Sequence, residues 1–214
     1  MKYQIIPVTP FQQNCSLVWC ETSKRAAVID PGGDIERITA AATTLGVTIE
    51  QIWLTHGHID HVGGADLLAK QLNVDIIGPH LADNFWLDAL DQQSQKFGFP
   101  RMEPFKATRY LDDGDRLSLG ELELEVIHTP GHTPGHVVFF HRASETAFVG
   151  DVLFHGSIGR TDFPMSDHQA LIDSITHKLW PLGNGVNFIP GHGPGATFAD
   201  ERRSNPFVAD SVLG

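Results

Sequence analysis

Cysteine is nearly missing from this sequence. Cys15 and Cys20 are the only two in 214 residues, and they lie five apart in the β-like run CSLVWC. Odd spacing sends two strand side chains to opposite faces, which excludes a local disulfide and a paired metal clip. No apolar run approaches the ~20 residues of a membrane span. The opening MKYQIIPVTPFQQN has one lysine and no apolar stretch of export-signal length. A membrane is therefore not an expected partner, and the cytoplasm is the expected compartment. Basic residues are also scarce: 15 Lys and Arg face 26 Asp and Glu, a formal charge of −11, which repels polyanions and argues against nucleic acid. No repeat, low-complexity tract or Pro/Gly/Ser-rich linker divides the chain, so residues 1–214 are expected to form a single domain.

Core-forming residues are plentiful: 41% of the chain is apolar, including 13 Phe and 4 Trp. Short apolar runs at 3–8, 15–20 and 26–30 predict consecutive strands. From Asp34, a candidate N-cap, Ile35, Ile38, Ala42 and Leu45 recur at helical spacing up to Gly46. The sequence then predicts a strand in IEQIWLT, a helix in GGADLLAKQL, a strand in VDIIG and a helix through LADNFWLDALDQQSQKFG. After a Pro-containing loop come strands DRLSL, LELEVIH, HVVFFH and TAFVG, a helix from Asp167 to about Leu179, and a strand VNFIP. Strand runs with helices inserted in both halves predict an α/β protein, an αβ/βα sandwich of two mixed sheets flanked by helices.

The stretch THGHIDHVGG places His56, His58, Asp60 and His61 inside six residues. Neutral imidazole and carboxylate are ligands that zinc, iron and manganese accept. Three further candidates share one context. His132 follows LEVIHTPG, Asp151 follows TAFVG and His192 follows VNFIPG, each just past a predicted strand and next to glycine. Strand-end loops are where a scaffold gathers residues distant in sequence. His128 and His136 flank His132 and suit supporting hydrogen bonds. His80, His141, His155, His168 and His177 lack the strand-end context, although His155 is near enough to Asp151 to line a pocket. Asp112, Asp113 and Asp115 in LDDGDRL read as a turn, and Gly63 and Gly64 as sites of close backbone approach.

His-x-His-x-Asp-His with Gly-Gly, then PGHTPGH, FVGD and PGHG, resembles the metallo-β-lactamase fold hydrolases in order and separation over nearly the whole chain. LDDGDRLSLGELELEVIHTPGHTPGH, GRTDF at 159–163 and ERRSNPF at 201–207 are most similar to short glyoxalase II enzymes, the hydroxyacylglutathione hydrolases. The resemblance implies one metal on His56, His58 and His132, a second on Asp60, His61 and His192, and Asp151 bridging them. It implies two divalent ions per chain, zinc foremost, with iron or manganese also suited. Asp60 would serve as ligand and orienter of a metal-bound hydroxide that attacks the thioester. The expected substrate is S-D-lactoylglutathione, cleaved to glutathione and D-lactate.

About twenty residues follow PGHG, too few for the helical C-terminal domain that supplies glutathione contacts in two-domain glyoxalase II. Arg160, in the loop after Asp151, is the candidate for a substrate carboxylate, with Arg202 and Arg203 behind it. The rival within the fold is a mononuclear iron persulfide dioxygenase using His56, His132 and Asp151, because GRTDF also resembles that family. A metal hydrolase of another ester or lactone is a further alternative. A diiron module of a flavoprotein would need a flavin-binding domain that this sequence does not carry.

Overall fold

Side-chain alternation along the strands sets the layering. The computed structural model describes residues 1–213. In the strand Arg25–Ile29, Ala26 and Val28 join one apolar cluster while Ala27 and Ile29 join another. Thr146–Gly150 behaves likewise, Ala147 and Val149 pointing one way and Phe148 the other. Strands buried on both faces require cover on both sides, and the chain supplies it as helix layer, sheet, sheet and helix layer.

The first sheet orders β1 (Lys2–Val8), β2 (Gln13–Trp19), β3 (Arg25–Ile29), β4 (Thr48–Trp53) and β5 (Asp75–Ile77) as β1-β2-β3-β4-β5. Its first two pairings are antiparallel and its last two parallel. The second sheet uses β6 (Arg116–Leu119), β7 (Leu122–His128), β8 (Val137–His141) and β9 (Thr146–Gly150). Beyond a two-stranded hairpin of β10 (Leu153–Phe154) and β11 (Ser157–Ile158), it adds β12 (Asn187–Pro190) and β13 (Ala196–Thr197), in the order β13-β12-β9-β8-β7-β6. Only β9 and β12 pair in parallel. Both sheets are mixed, as expected.

Between the sheets, Trp53, Phe139 and Phe148 fill a shared core and are at most 2% exposed. Truncating Phe139 to Ala would cost about 3–5 kcal/mol by loss of burial and the cavity left behind. Against the first sheet pack α1 (Ile35–Leu45), the single turn α2 (Ile59–Val62), α3 (Ala65–Leu72), α4 (Asn84–Asp88) and α5 (Leu90–Phe97). Against the second lie α6 (His168–Asp173), continuing as a π-helical turn over Ser174–Leu179, and α7 (Phe198–Ser204). The last helix, α8, covers Asp210–Leu213. No helix is long and apolar enough to cross a membrane among the described residues.

Several local expectations need correction. Asp34 precedes α1 but does not cap it; its backbone is left-handed and its carboxylate instead accepts the Thr9 N–H at 2.9 Å. Asp167 is a true cap, accepting from Ala170 N at 3.0 Å. The helix expected through 81–98 is broken into a 3₁₀ turn, α4 and α5, because Ala89 leaves helical geometry. The hairpin β10–β11, β13, α7 and α8 are too short to carry a readable period. Cys15 and Cys20 are buried and unpaired.

Candidate metal centre

Five segments deliver the candidate ligands. β4 runs into Thr55 and His56, and the turn α2 presents Asp60 and His61 within one winding. His132 stands in the loop between β7 and β8, Asp151 directly after β9, and His192 after β12. β9 and β12 are adjacent parallel strands, so their C-terminal ends lie side by side. Gly63 and Gly64 pass so close to the carbonyls of Gly32 and Pro31 that a Cβ on either would sit 2.7–2.8 Å from them. At Gly191 a Cβ would overlap the Asp151 carboxylate and the His61 ring, so this glycine makes room for the site itself.

Hydrogen bonds on the far side of each ring determine which nitrogen faces inward. Asp30, buried and able only to accept, takes a hydrogen bond from His61 Nδ1 at 2.8 Å and another from Thr55 Oγ1 at 2.6 Å. With its proton spent on Asp30, Thr55 Oγ1 accepts from His56 Nδ1 at 3.0 Å. His132 Nδ1 donates to the Arg160 carbonyl at 2.8 Å and His192 Nδ1 to the Phe11 carbonyl at 3.2 Å. Four imidazoles therefore turn their Nε2 atoms towards the centre, the arrangement in which outer partners fix metal-ligating histidines.

The inward nitrogens lie too close together to be left alone. His58 Nδ1 is 3.1 Å from His56 Nε2 and 3.0 Å from His132 Nε2. A single proton on His58 Nδ1 could satisfy only one of them. Three nitrogens at ~2.0–2.1 Å from a tetrahedral zinc would be spaced by about 3.3 Å, so one divalent cation fits this triangle after a small spread.

The second group is Asp60, His61 and His192. His192 Nε2 is 3.0 Å from Asp60 Oδ2, and His61 Nε2 is 3.8 Å from the same oxygen. Asp151 stands between the groups: Oδ1 is 3.4 Å from His61 Nε2, and Oδ2 is 3.7 Å from His132 Nε2 and 3.8 Å from His192 Nε2. Both His61 Nε2 and Asp151 Oδ1 are buried without a hydrogen-bond partner, a costly condition that a cation between them would relieve.

Charge divides the two groups. Burial, then repulsion from neighbouring imidazoles, holds His56 and His58 well below the ordinary histidine range. His132 is lowered by burial, which outweighs the attraction of Asp151. Burial also acts against a charge on His61, but Asp151 and Asp60 outweigh it and raise the group well above the usual range. His192 is raised too, its desolvation overcome by the Asp60 hydrogen bond and the Asp151 charge. For Asp151 burial opposes ionisation, yet His61, His132 and His192 hold it far below the usual carboxylate range. The centre is thus built for positive charge at its carboxylate end and for a bare cation at its imidazole end.

All seven candidate ligands converge, and the supporting residues divide. His136 is buried, accepts the Asp151 N–H at 3.1 Å and stacks on His56 with centroids 4.8 Å apart. His128 belongs elsewhere: it stacks on His80 and bonds the Pro134 carbonyl. Asp113 accepts the His128 N–H within the expected turn. Asp30 and Asp83 carry no motif that would single them out. Asp83 is buried and accepts from Gly57 N and Thr133 Oγ1 at 2.9 and 2.7 Å and from Gly135 N, so it ties the two loops that carry His56, His58 and His132. Burial pushes its pKa up to about 6 against those three hydrogen bonds.

A cavity of ≈ 830 Å³ opens over His58, Asp60, His132, Asp151 and His192. Aromatic side chains form much of its wall, with Trp86 and Phe163 against the His58 ring at 4.6 and 4.7 Å. Arg160 reaches this cavity, but its guanidinium holds Asp162 through two bonds of 3.0 and 2.7 Å and lies 4.6 Å over Phe163. Arg202 and Arg203 do not line the cavity; they pair with Asp210 and Asp200.

Comparison with known proteins gives the family. The model of the metallo-beta-lactamase superfamily matches residues 8–195. The chain is 46% identical to the hydroxyacylglutathione hydrolase GloC of Haemophilus influenzae, over 97% of this chain and 98% of that protein. Among solved structures, the B3 metallo-beta-lactamase BLEG-1 superposes with a TM-score of 0.90 at 34% identity over the whole of both chains. TTHA1623, solved in a di-iron-bound form, superposes with a TM-score of 0.87 at 36% identity over 96% of this chain and 100% of that one.

Proposed function

The chain belongs to the metallo-beta-lactamase superfamily, and from that premise we propose a dinuclear metal-dependent thioester hydrolase that cleaves S-D-lactoylglutathione or a closely related acylglutathione. The observation that carries the reading is Asp151, which stands between the two groups, Oδ1 towards His61 of the second and Oδ2 between His132 of the first and His192 of the second, and whose Oδ1 has no hydrogen-bond partner within the protein. We assign one divalent cation to His56, His58 and His132 and a second to Asp60, His61 and His192, with Asp151 shared between them. The di-iron form of TTHA1623 supports the number and admits iron beside zinc. The 46% identity to GloC over almost all of both chains supports the substrate class and the treatment of residues 1–213 as one functional unit.

A divalent pair held there supplies, when bound, a water acidified towards pKa ~7 and a Lewis acid for a substrate carbonyl. Everything else falls to the chain. Asp60 and Asp151 place carboxylate oxygens at the cavity floor, where they orient the water that attacks. Trp86, Phe163, Phe11 and Phe97 line the wall and keep bulk water from the acyl group. A thioester asks little of a general acid, because a leaving thiolate has a conjugate acid near pKa ~8.5 and departs without one. Arg160 enters as a substrate contact only by sharing its guanidinium with Asp162; its carbonyl, which holds His132, is the more direct contribution.

The test is elemental analysis of protein purified without added metal, combined with thioester hydrolysis and persulfide-dependent oxygen uptake. Two metals per chain with thioesterase activity are expected. One iron per chain, with oxygen uptake and no thioesterase activity, would replace this reading with the dioxygenase.

A further inference from the structure

Three cationic or titratable side chains outside the ligand set reach the cavity: Lys96, His155 and Arg160. Their commitments differ. Arg160 already holds Asp162 through two bonds. Among the described residues, ion pairs occupy Lys70 with Asp66 and Lys178 with Asp113; of the remaining lysines, Lys96 is the one that lines the cavity. Its Nζ rests 5.3 Å from the ring centroid of Phe97, an aromatic that also lines the cavity. A charge held on an apolar wall without a counterion is placed for an anion brought by a ligand.

His155 lies between β10 and β11 and is held from behind. Its Nδ1 donates to Glu201 Oε1 at 3.0 Å. Glu201, 1% exposed, fills its other oxygen with Gly156 N at 2.8 Å and Asn205 Nδ2 at 2.7 Å. A buried carboxylate with every donor accounted for fixes the imidazole tautomer, and the ring, with 58% of its side chain exposed, is left with Nε2 as a hydrogen-bond acceptor. Packing alone does not require a buried glutamate to orient an exposed ring.

We propose that Lys96 and His155, one from each half of the chain, recognise the thiol half of the substrate as an anionic peptide, Lys96 binding a carboxylate and His155 Nε2 accepting an N–H. This rests on the thioester reading above and names the residues that select the thiol. Glutathione carries both features; a simple alkyl thiol carries neither.

The experiment uses the metal-loaded full chain and its Lys96→Met, Lys96→Arg and His155→Phe variants. Two thioesters are compared, S-lactoylglutathione and the S-lactoyl ester of 2-mercaptoethanol, and S-methylglutathione, which has no bond to cleave, is titrated calorimetrically. The wild type should prefer the glutathione ester. Lys96→Met should lower that preference about fivefold through KM, His155→Phe by about threefold, and Lys96→Arg should restore it, magnitudes suited to exposed charge-assisted contacts. S-methylglutathione should bind more weakly to Lys96→Met and His155→Phe by the same factors. Equal losses on both esters, or unchanged affinity for S-methylglutathione, would overturn the assignment while leaving the hydrolase reading intact. If the wild type cleaves neither ester the hydrolase reading fails, and the titration alone still decides between weakened and unchanged binding.

Discussion

The two candidate metal groups sit a few ångströms apart yet rest on opposite electrostatics. His56, His58 and His132 form an all-imidazole cradle, nearly stripped of water, whose nitrogens are 3.0–3.1 Å apart and resist protonation. Asp60, His61 and His192 include a carboxylate, lean on Asp151, and leave His192 30% exposed. The second group can take protons in place of a cation, whereas the first gains little from them. Desolvated imidazoles make a site that only a metal satisfies; a carboxylate-rich site lets protons compete. The cation at the second group should therefore be the more easily released.

The largest effect is expected where the groups join. Asp151→Asn removes the charge and one acceptor oxygen from both, so metal content should fall at both positions and thioester turnover by about 10³-fold or more, several kcal/mol of metal activation. Full metal content and turnover in this variant would dismiss the bridge. Next, His192→Ala should separate the groups, leaving about one metal per chain and costing about 10²-fold to 10³-fold in hydrolysis. If stoichiometry by elemental analysis stays at two, His192 is not a ligand.

Asp83→Asn probes the cradle alone. An amide NH₂ would have to face one of the N–H groups that the carboxylate now accepts, loosening the loops of His56 and His132. Metal affinity of the first group should drop about 10-fold to 100-fold, as for other outer partners, and competition with a chelator would reveal it; equal weakening of both positions would contradict the separation.

Protons test the comparison differently. In chelator-treated protein, His56, His58, His132 and His136 have folded pKa values below the unfolded ~6.5. The unfolded chain then binds more protons as pH falls through that value, so these groups withdraw stability on acidification. His61 and His192, raised, act oppositely: their contribution is full below ~6.5 and is lost as pH rises through their folded values. His128 and His141 are lowered as well, while Asp83, raised to about 6, gains stability on acidification like His61 and His192. With six lowered against three raised, the melting temperature should fall from pH 7 to pH 5. In the metal-loaded protein, one equivalent should leave before the other over the same range. Simultaneous release would show that the groups behave as one. The smallest effect belongs to Arg160→Ala, about a threefold rise in KM for an acylglutathione, because Asp162 already occupies the guanidinium.

Legibility followed the same division. THGHIDH could be read directly because one strand end and one helical turn bring four candidate ligands together within six residues. His132, Asp151 and His192 were visible only as histidine or aspartate after apolar runs, and the resemblance joined them. Asp30 and Asp83 escaped because a buried aspartate that accepts from side chains and N–H groups 25 to 52 residues away has no local signature. The break at Ala89 and the cap lost at Asp34 escaped for a related reason. Gln93 on α5 bonds Ile59 N and the Gly57 carbonyl, and Asp34 bonds Thr9, so long-range partners overrode helical preference.

Sequence by itself determined the succession of short apolar strands and helical-period segments, the expectation of two helix-flanked sheets, and the chemical identity of the candidate ligands, since period and residue type are local properties of a chain. Only the tertiary structure decided which nitrogen of each histidine faces inward, that Asp151 addresses both groups, that Arg160 is already paired, and that Lys96 and His155 share one cavity. Those are distances between segments far apart in the chain, fixed by how the sheets pack, and no local pattern encodes them.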